Sequence, residues 1–231
     1  MPSNNPPHSD KRPHDLRGTL TRHRILESAR EVFLLNGYTS ASIDQIINQS
    51  GVSKGSIYHH FDSKDALFKS LIAAEAERIA RALPPIDHDD PDPCSALRQI
   101  GTAVLETLNN PATIATLRLI IGALGRFPGL GEEFLRNSLG QTVEQIAAYL
   151  DVLATAGTLR IGNSRAAAEE FARRCLAHVM ERVLVPHQPC LTEAEWTGMV
   201  DDILRNCGIR WRDAVSHGGR AGLMIPYDWE A

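Results

Sequence analysis

The chain has 231 residues, of which 43% are hydrophobic and 23% charged, as in an ordinary globular protein with one large or two small domains. No apolar run approaches the roughly 20 residues of a membrane span, and the polar, Pro-rich start has no signal-peptide core, so a cytoplasmic protein without a membrane partner is expected. The net charge of −4 is uneven, because residues 1–70 carry nine Lys/Arg against seven Asp/Glu and the remainder is acidic, which makes the front of the chain the part suited to phosphates.

Residues 1–16 are polar and Pro-rich and predict a disordered tail, in which Lys11 and Arg12 are either solvated or a basic arm on DNA. A helix is predicted from about Thr19 to Asn36, and Gly37 can end it. Its apolar stripe consists of Ile25, Leu26, Ala29, Val32 and Phe33, and the cations near its start, which would face solvent or phosphate, are Arg17, Arg22 and Arg24.

Two short helices joined by a tight turn are predicted within SIDQIINQSGVSKGSIYHHF, residues 42–61. Isoleucines at i, i+3 and i+4 give the first helix an apolar face, and Gly51 can take the left-handed conformation that ends it. Ser53 is expected to cap the second helix, Lys54 to His60, which keeps Ile57 and Phe61 for the core.

The second short helix would present a cation, small polar groups and an aromatic hydroxyl outward, a set that suits a DNA major groove. Lys54 could reach a phosphate or a guanine edge, and Gly55 permits close backbone approach. The alternative is an ordinary polar surface on a small helical domain. The predicted DNA contacts here are Ser42, Ser53, Lys54, Gly55, Ser56, Tyr58 and His59.

The stretch NGYTSASIDQIINQSGVSKGSIYHHFDSKDALF closely resembles the DNA-binding domain of the TetR family of bacterial transcriptional regulators, over roughly residues 19–79. Ala41 stands where that family often has Thr or Ser, so Ser40 or Ser42 is expected to cap the second helix instead. The resemblance implies a three-helix helix-turn-helix domain at residues 17–79. The matching residues are Gly51-Val52-Ser53, Lys54-Gly55, Ile57-Tyr58, Phe61 and Ser63-Lys64.

A fourth helix is predicted to begin after Ser63, its N-cap, and to continue to about Leu83 as a strut into the next domain. Lys64 at its start is either a phosphate contact beside free N–H groups or a solvated lysine. Residues 84–93 are rich in Pro and Asp and predict a loop.

The rest of the chain predicts an all-α bundle, residues 80–207, because no segment has the strand period. Helices are expected at about 94–109, 112–126, 129–156, 164–185 and 191–207. The segments TIATLRLIIGALGRFPGLGEEF and AGTLRIGNSRAAAEEF resemble the C-terminal domain of the AefR-like TetR subgroup. We assign no role to the tail, residues 208–231.

Candidate ligand-binding residues lie in this bundle. Arg118 interrupts an apolar run and, if buried, needs either a ligand carboxylate or an internal acid. Other side chains could line an apolar pocket or simply be core, namely Phe127, Phe134, Tyr149, His178 and Met180.

The last two helices form a four-helix dimer interface in the family, and here their apolar residues fit either that role or the closure of the monomer core. These residues are Phe171, Cys175, Val179, Trp196, Val200 and Ile203.

Catalytic, cofactor and metal motifs are not found: the chain has no H-E-x-x-H, no G-x-S-x-G and no phosphate loop. The cysteines, which are not spaced as a zinc or thioredoxin-like pair, are expected to be packed thiols, with a redox sensor as the alternative. They are Cys94, Cys175, Cys190 and Cys207.

The sequence therefore predicts a homodimeric transcriptional repressor that binds a palindromic operator and is released by a small molecule. An architectural DNA-binding protein without a ligand is the first alternative. An all-α enzyme with an incidental helix-turn-helix is the second, and the lack of a catalytic set disfavours it.

Overall fold

A computed structural model describes residues 13–86, 93–185, 193–206 and 210–211 of the protein. The described part confirms the predicted all-α fold, with a helix-turn-helix domain followed by a helical bundle. Its helices are α1 (Pro13–Ser40), α2 (Ile43–Ser50), α3 (Lys54–His60), α4 (Lys64–Ala82), α5 (Pro93–Asn109), α6 (Pro111–Ala123), α7 (Leu130–Thr155), α8 (Ser164–Leu184) and α9 (Glu193–Asn206).

Helix α1 is longer than the sequence predicted. It begins at Pro13, so residues 13–16 of the expected disordered tail are helical, which corrects that prediction. Proline is well tolerated in the first turn of a helix, because the N–H that it lacks would have no intrahelical partner there. Residues 1–12, including Lys11 and Arg12, lie outside the described residues. The predicted break at Gly37 is confirmed, since its φ of 70° and ψ of 170° are not helical.

Local capping explains why α2 and α3 form despite their shortness. Ser42 and Gln45 make a reciprocal capping box at the start of α2, and Gly51 ends that helix in the left-handed conformation with φ of 65°. The Ser53 hydroxyl accepts a hydrogen bond from the backbone N–H of Ser56. Ile46 and Ile57, both fully buried, then anchor the two helices in the core.

Helix α4 is the strut that the sequence predicted. The Ser63 hydroxyl accepts from the backbone N–H of Ala66, which caps its start. Seven of its side chains are buried, at helical spacing, and they pack against α1 on one side and α7 on the other. The buried side chains of the helix-turn-helix domain and of the bundle therefore form one continuous core through α4.

The bundle helices lie within three residues of their predicted bounds. Asn110 caps α6, followed by Pro111 in the first turn, which is why the chain can turn there from α5 into a new helix. A loop is seen at residues 84–86, and residues 87–92 lie outside the described part.

A short antiparallel pair of strands was not predicted. Strand β1 (Leu159–Arg160), in the α7–α8 connection, pairs with β2 (Arg210–Trp211), with Leu159 opposite Trp211. Two residues per strand are too few to show an alternating pattern in the sequence. The pairing fixes the chain after α9 against the bundle; residues 207–209 and 212–231 are not described.

The apolar residues of α8 and α9 close the core of the monomer. Trp196 has no described side chain; the other five of the set are buried within the single chain, namely Phe171, Cys175, Val179, Val200 and Ile203. Of the two roles that the sequence left open, core closure is therefore the one seen for these five.

Candidate nucleic-acid interface

The exposed face of α3 carries most of the predicted DNA contacts. Ile57 on the inner side is fully buried, which turns Lys54, Gly55, Tyr58 and His59 outward, and all four are exposed. Tyr58 keeps 45% of its surface exposed, so its ring is accessible on this face. Ser56 is half-buried at the edge of this face.

The two predicted serine contacts, Ser42 and Ser53, lie at the starts of α2 and α3. Each hydroxyl oxygen accepts a backbone N–H, at 3.2 Å from Gln45 N and 3.1 Å from Ser56 N. Capping is therefore the role that the structure gives them. The Ser42 O–H also donates to Oε1 of Gln45 at 3.3 Å, and the Ser53 hydroxyl carries its own O–H donor. A phosphate contact stays a prediction for both.

Lys54 is close to an acidic residue of the preceding helix. Its Nζ lies 3.7 Å from Oδ1 of Asp44, with 63% and 78% of the two side chains exposed. An ion pair so exposed contributes little to stability. Lys54 therefore remains available to an incoming phosphate or base edge.

Lys64 is not a free cation. Its Nζ donates to three backbone carbonyls at and just after the end of α1, at 2.9 Å from Tyr38 O, 3.3 Å from Thr39 O and 2.8 Å from Ala41 O. The ammonium also lies 4.5 Å from the centroid of the Tyr38 ring. Because an ammonium has three donors, this arrangement uses all of them in holding α1 to α4. The predicted phosphate contact stays a prediction, whereas the carbonyl contacts are seen.

Two arginines of α1 lie close to the helix-turn-helix. The Arg22 guanidinium lies 5.2 Å from the centroid of the Phe61 ring, at the end of α3. Burial of the His60 ring, followed by the neighbouring charges of His59 and Arg22, lowers the pKa of His60. Arg24 lies close to the turn between α2 and α3. If Gly51 carried a Cβ, that atom would lie 3.1 Å from Nη2 of Arg24. The sequence indicated these arginines only as facing solvent or phosphate.

A buried carboxylate connects the helix-turn-helix domain to the bundle. The Glu75 side chain on α4 is 8% exposed, and Arg30 of α1 donates from Nε to its Oε1 at 3.0 Å. Arg78 donates to Oε2 at 2.9 Å, and the Thr116 hydroxyl of α6 lies 3.4 Å from the same oxygen. These contacts join three helices at one acidic group, and sequence reasoning missed them because they form between distant segments.

A second polar connection lies near the start of α4. Arg126, in the α6–α7 connection, donates from Nη2 to Oδ2 of Asp65 at 2.9 Å, and the Tyr38 hydroxyl donates to Oδ1. The hydrogen bond from Tyr38, then that from Arg126, lowers the pKa of Asp65. Burial, followed by Asp65, raises the pKa of Tyr38. Phe127, next along the chain, packs its ring against those of Tyr38 and Phe68, with centroids 5.0 and 5.6 Å away.

Arg118 is placed differently from both predicted alternatives. It is exposed, and it donates from Nε to Val183 O at 2.8 Å and from Nη2 to Arg182 O at 2.7 Å. A cation at the C-terminus of α8 satisfies carbonyls that have no intrahelical partner, so neither a ligand carboxylate nor an internal acid is needed.

The structure does not bring the other predicted ligand-binding residues together. Phe127 lies at the junction with the helix-turn-helix domain, Tyr149 is buried in α7, and Met180 is half-buried. His178 is exposed on the surface of α8, which corrects its assignment to an internal pocket.

Phe134 lines a surface depression between α4 and α7, of about 180 Å³ including space open to solvent. Its enclosed part has a volume of about 10 Å³, enough for about one water molecule. A typical small-molecule site has roughly 300–1,000 Å³. The residues that line the depression are Lys69, Ile72, Ala73, Leu130, Glu133, Phe134 and Asn137.

Neither a membrane-spanning helix nor a metal-binding cluster is found among the described residues. No helix there is long and apolar enough to cross a membrane. No group of three or more His, Cys, Asp or Glu side chains in those ranges is arranged to hold a metal ion.

Comparison with family models accounts for both parts of the chain. Residues 25–71 match bacterial regulatory proteins of the tetR family, and residues 95–206 match the C-terminal domain of AefR-like transcriptional repressors. Among characterised proteins, the HTH-type transcriptional regulator UidR of Escherichia coli is 47% identical over 68 residues, which are 29% of this chain and 35% of UidR. The chain thus spans about a third of that relative's length, in the DNA-binding part.

Solved structures match over most of the chain. The flavonoid-responsive regulator FrrA, 27% identical, has a TM-score of 0.71 and the match covers 83% of this chain and 98% of FrrA. Salmonella enterica GusR, 25% identical, has a TM-score of 0.60 over 80% of this chain and 93% of GusR. UidR is named as a transcriptional regulator of the helix-turn-helix type and FrrA as a regulator. With both domains matched and α3 displayed on an anchored helix-turn-helix, the chain belongs to the TetR family of DNA-binding transcriptional regulators, with a C-terminal domain of the AefR-like type.

Proposed function

We propose that the protein is a homodimeric repressor, which places one α3 helix from each subunit in a major groove of a palindromic operator and is released by a small molecule. The observation that carries the proposal is the exposed face of α3, where Lys54, Gly55, Tyr58 and His59 point away from the buried Ile57. Residues 17–79 would bind DNA, and residues 80–207 would bind the effector and the partner subunit.

The proposed contacts divide by chemistry. Lys54 supplies a cation to a phosphate or to the acceptor atoms of guanine, and Gly55 allows the backbone to approach. Tyr58 and His59 donate to phosphates, and Ser56 contacts the edge of the groove. Ser42, Ser53 and Lys64 hold α2, α3 and α4 in place through their observed hydrogen bonds.

A second copy of the chain would pack on α8 along the edge of its buried face. Four apolar residues recur there every four residues, namely Ala172, Leu176, Met180 and Leu184. The first three are half-buried, with Ala172 and Met180 packed against the core, and Leu184 keeps 68% of its surface exposed. A stripe at this spacing is typical of helix-to-helix packing. Two subunits double the number of base contacts, which a single seven-residue helix cannot supply alone.

An effector would act by favouring the spacing of the two DNA-binding domains that does not fit the operator, and it must do so by a few kcal/mol. We propose a small apolar or amphipathic molecule. The similarity to FrrA, whose name describes it as flavonoid-responsive, makes flavonoids the first probes. The depression beside Phe134 is too small for such a molecule unless the bundle opens.

A ligand-independent architectural DNA-binding protein is the second candidate. The observation that favours it is that Phe127 and Tyr149, two of the predicted pocket residues, are packed in the core. A screen of small molecules by thermal shift separates the two functions, because only a true effector raises the Tm and then also weakens DNA binding.

Selection of bound sites from random DNA, followed by gel-shift titration of the wild-type chain, tests the proposal. A palindromic site bound by two subunits is the expected result. Lys54→Ala and Tyr58→Ala should each weaken binding to that site. Binding unchanged in both variants would show that α3 is not the reading helix.

A further inference from the structure

Two polar connections fasten the helix-turn-helix domain to the bundle, and both involve α4. The inner connection consists of Glu75 with Arg30 and Thr116. The outer latch consists of Asp65 with Tyr38 and Arg126. At a rise of about 1.5 Å per residue, Asp65 and Glu75 are about 15 Å apart along the helix. Together with the continuous core through α4, polar contacts at that separation constrain the angle between the domains at two points.

The two connections differ in burial. Glu75 is 8% exposed, whereas in the outer latch Arg126 is 65% and Asp65 35% exposed. A buried carboxylate cannot lose its partners without a large desolvation cost, so the inner connection stays closed. An exposed ion pair opens at little cost. The outer latch is therefore the connection that can yield first.

The α6–α7 connection brings two different contacts to the same place. Arg126 pairs with Asp65, and the next residue, Phe127, joins the rings of Tyr38 and Phe68. The Lys69 ammonium, which also lines the depression between α4 and α7, lies 5.4 Å from the centroid of the Phe127 ring. The latch thus joins the end of α1 and the start of α4 to the α6–α7 connection of the bundle.

We propose that Arg126 is a positioning residue for DNA binding, and that the outer latch holds the angle at which the α3 helices of both subunits meet the operator. The inference rests on the proposed function as an operator-binding dimer. When the latch opens, only the apolar ring contacts of Phe127 join the start of α4 to the α6–α7 connection, so the angle of each helix-turn-helix domain varies more. Binding must then order two mobile domains, and the affinity falls.

Arg126→Ala in the full chain tests the inference, with Arg136→Ala as the matched control. Arg136 is 66% exposed and pairs with Glu132 at 4.0 Å, so it resembles Arg126 in exposure and charge, but its ion pair lies within α7. Operator affinity is measured over a salt series. We expect Arg126→Ala to bind about ten-fold more weakly, since two exposed pairs are lost per dimer, and Arg136→Ala to bind as the wild type does.

The dependence on salt and a conservative variant separate positioning from direct contact. Arg126 pairs with a carboxylate, so the slope of log K against log salt should not change in Arg126→Ala. Arg126→Lys keeps a cation near Asp65 and should recover part of the affinity. Unchanged or tighter binding by Arg126→Ala overturns the proposal, and so does a loss accompanied by a shallower slope, which would indicate a phosphate contact.

Hydrogen exchange without DNA supplies an independent measurement. Amides of residues 38–41 and 124–127 should exchange faster in Arg126→Ala than in the wild type or in Arg136→Ala, while the amides of α7 and α8 should not change. Equal exchange in all three proteins would refute the latch. A wild-type chain that binds no DNA would refute the proposed function instead, and the exchange measurement would still decide whether the latch exists.

Discussion

The Nζ atom of Lys64 lies 2.8 Å from the carbonyl oxygen of Ala41, and this hydrogen bond ties the start of α4 to the segment between α1 and α2. The same ammonium reaches the carbonyls of Tyr38 and Thr39. These hydrogen bonds hold the end of α1, the α1–α2 segment and the start of α4 in a fixed arrangement. Lys64 satisfies carbonyls that lack an intrahelical partner because α1 ends at Ser40.

Lys64→Ala should destabilise the protein by about 1–3 kcal/mol, because three carbonyls lose a charged donor. Urea unfolding measures the change. Lys54→Ala is the matched control, since Lys54 makes only an exposed pair with Asp44. For Lys54→Ala we expect unchanged stability, together with weaker operator binding and a salt slope reduced by about one per subunit. The reverse pattern, with Lys54 needed for folding and Lys64 only for binding, would contradict both assignments.

Glu75→Gln should destabilise the chain strongly, by about 3–5 kcal/mol, because Arg30 and Arg78 would lose their acidic partner. Glu77→Gln is the control. Glu77 lies two residues away on α4, 66% exposed, and pairs only with Arg81, at 3.5 Å. Its replacement should change the free energy of unfolding by less than about 0.5 kcal/mol. Similar small effects of the two variants would mean that the buried network does not hold the domains together.

The pKa of Asp65 predicts how stability depends on acid. Hydrogen bonds from Tyr38 and Arg126 lower that pKa in the folded chain. A carboxyl whose folded pKa lies below its unfolded value contributes stability above the unfolded pKa, and loses it as the pH falls through the folded pKa. Part of the acid destabilisation below about pH 4 should therefore be missing in Asp65→Asn.

Urea midpoints measured from pH 7 to pH 3 test this expectation for the wild type and Asp65→Asn. Glu132→Gln is a suitable control, because its carboxylate is 82% exposed and only 4.0 Å from a single arginine, Arg136. The two curves for wild type and Asp65→Asn should converge toward low pH. Parallel curves would show that the pKa of Asp65 is the same in the folded and unfolded states.

Two helical glycines should respond in opposite ways to alanine. A Cβ at Gly101 would lie 2.7 Å from Cγ1 of Val200 and 3.1 Å from Cζ of Phe171, so Gly101→Ala should cost about 1–3 kcal/mol through overpacking between α5, α8 and α9. A Cβ at Gly140 in α7 meets nothing within 4 Å among the described residues. Gly140→Ala should stabilise the protein by about 0.5–1 kcal/mol, because alanine favours the helix. Thermal unfolding should show a lower Tm for Gly101→Ala and a higher Tm for Gly140→Ala. Equal shifts in Tm would contradict the packing at Gly101.

Local patterns predicted the parts of the fold that depend on neighbouring residues. The caps at Ser53 and Ser63 and the break at Gly37 are confirmed, because each depends on hydrogen bonds or dihedral angles within a few residues. The bounds of the bundle helices agree for the same reason. Helix α1 begins at Pro13, earlier than predicted. Composition indicated disorder there, but a proline in the first turn is compatible with a helix.

Predictions about the surroundings of single side chains in the bundle were less accurate. Arg118 was expected to be buried because its neighbours in sequence are apolar, yet α6 turns it outward to the end of α8. His178 was expected in a pocket and lies on the surface. Helical spacing shows which residues share a face, but not which neighbouring helix covers that face.

The sequence by itself determined the family, the positions of the helices and the outward face of α3, because caps, turns and apolar spacing act over a few residues. Only the tertiary structure decided that Lys64 ties α4 to α1, that Glu75 joins three helices, and that Arg126 reaches Asp65. Arg126 and Asp65 are separated by most of three helices in the chain. Contacts over such distances depend on how the helices pack, which no local pattern specifies.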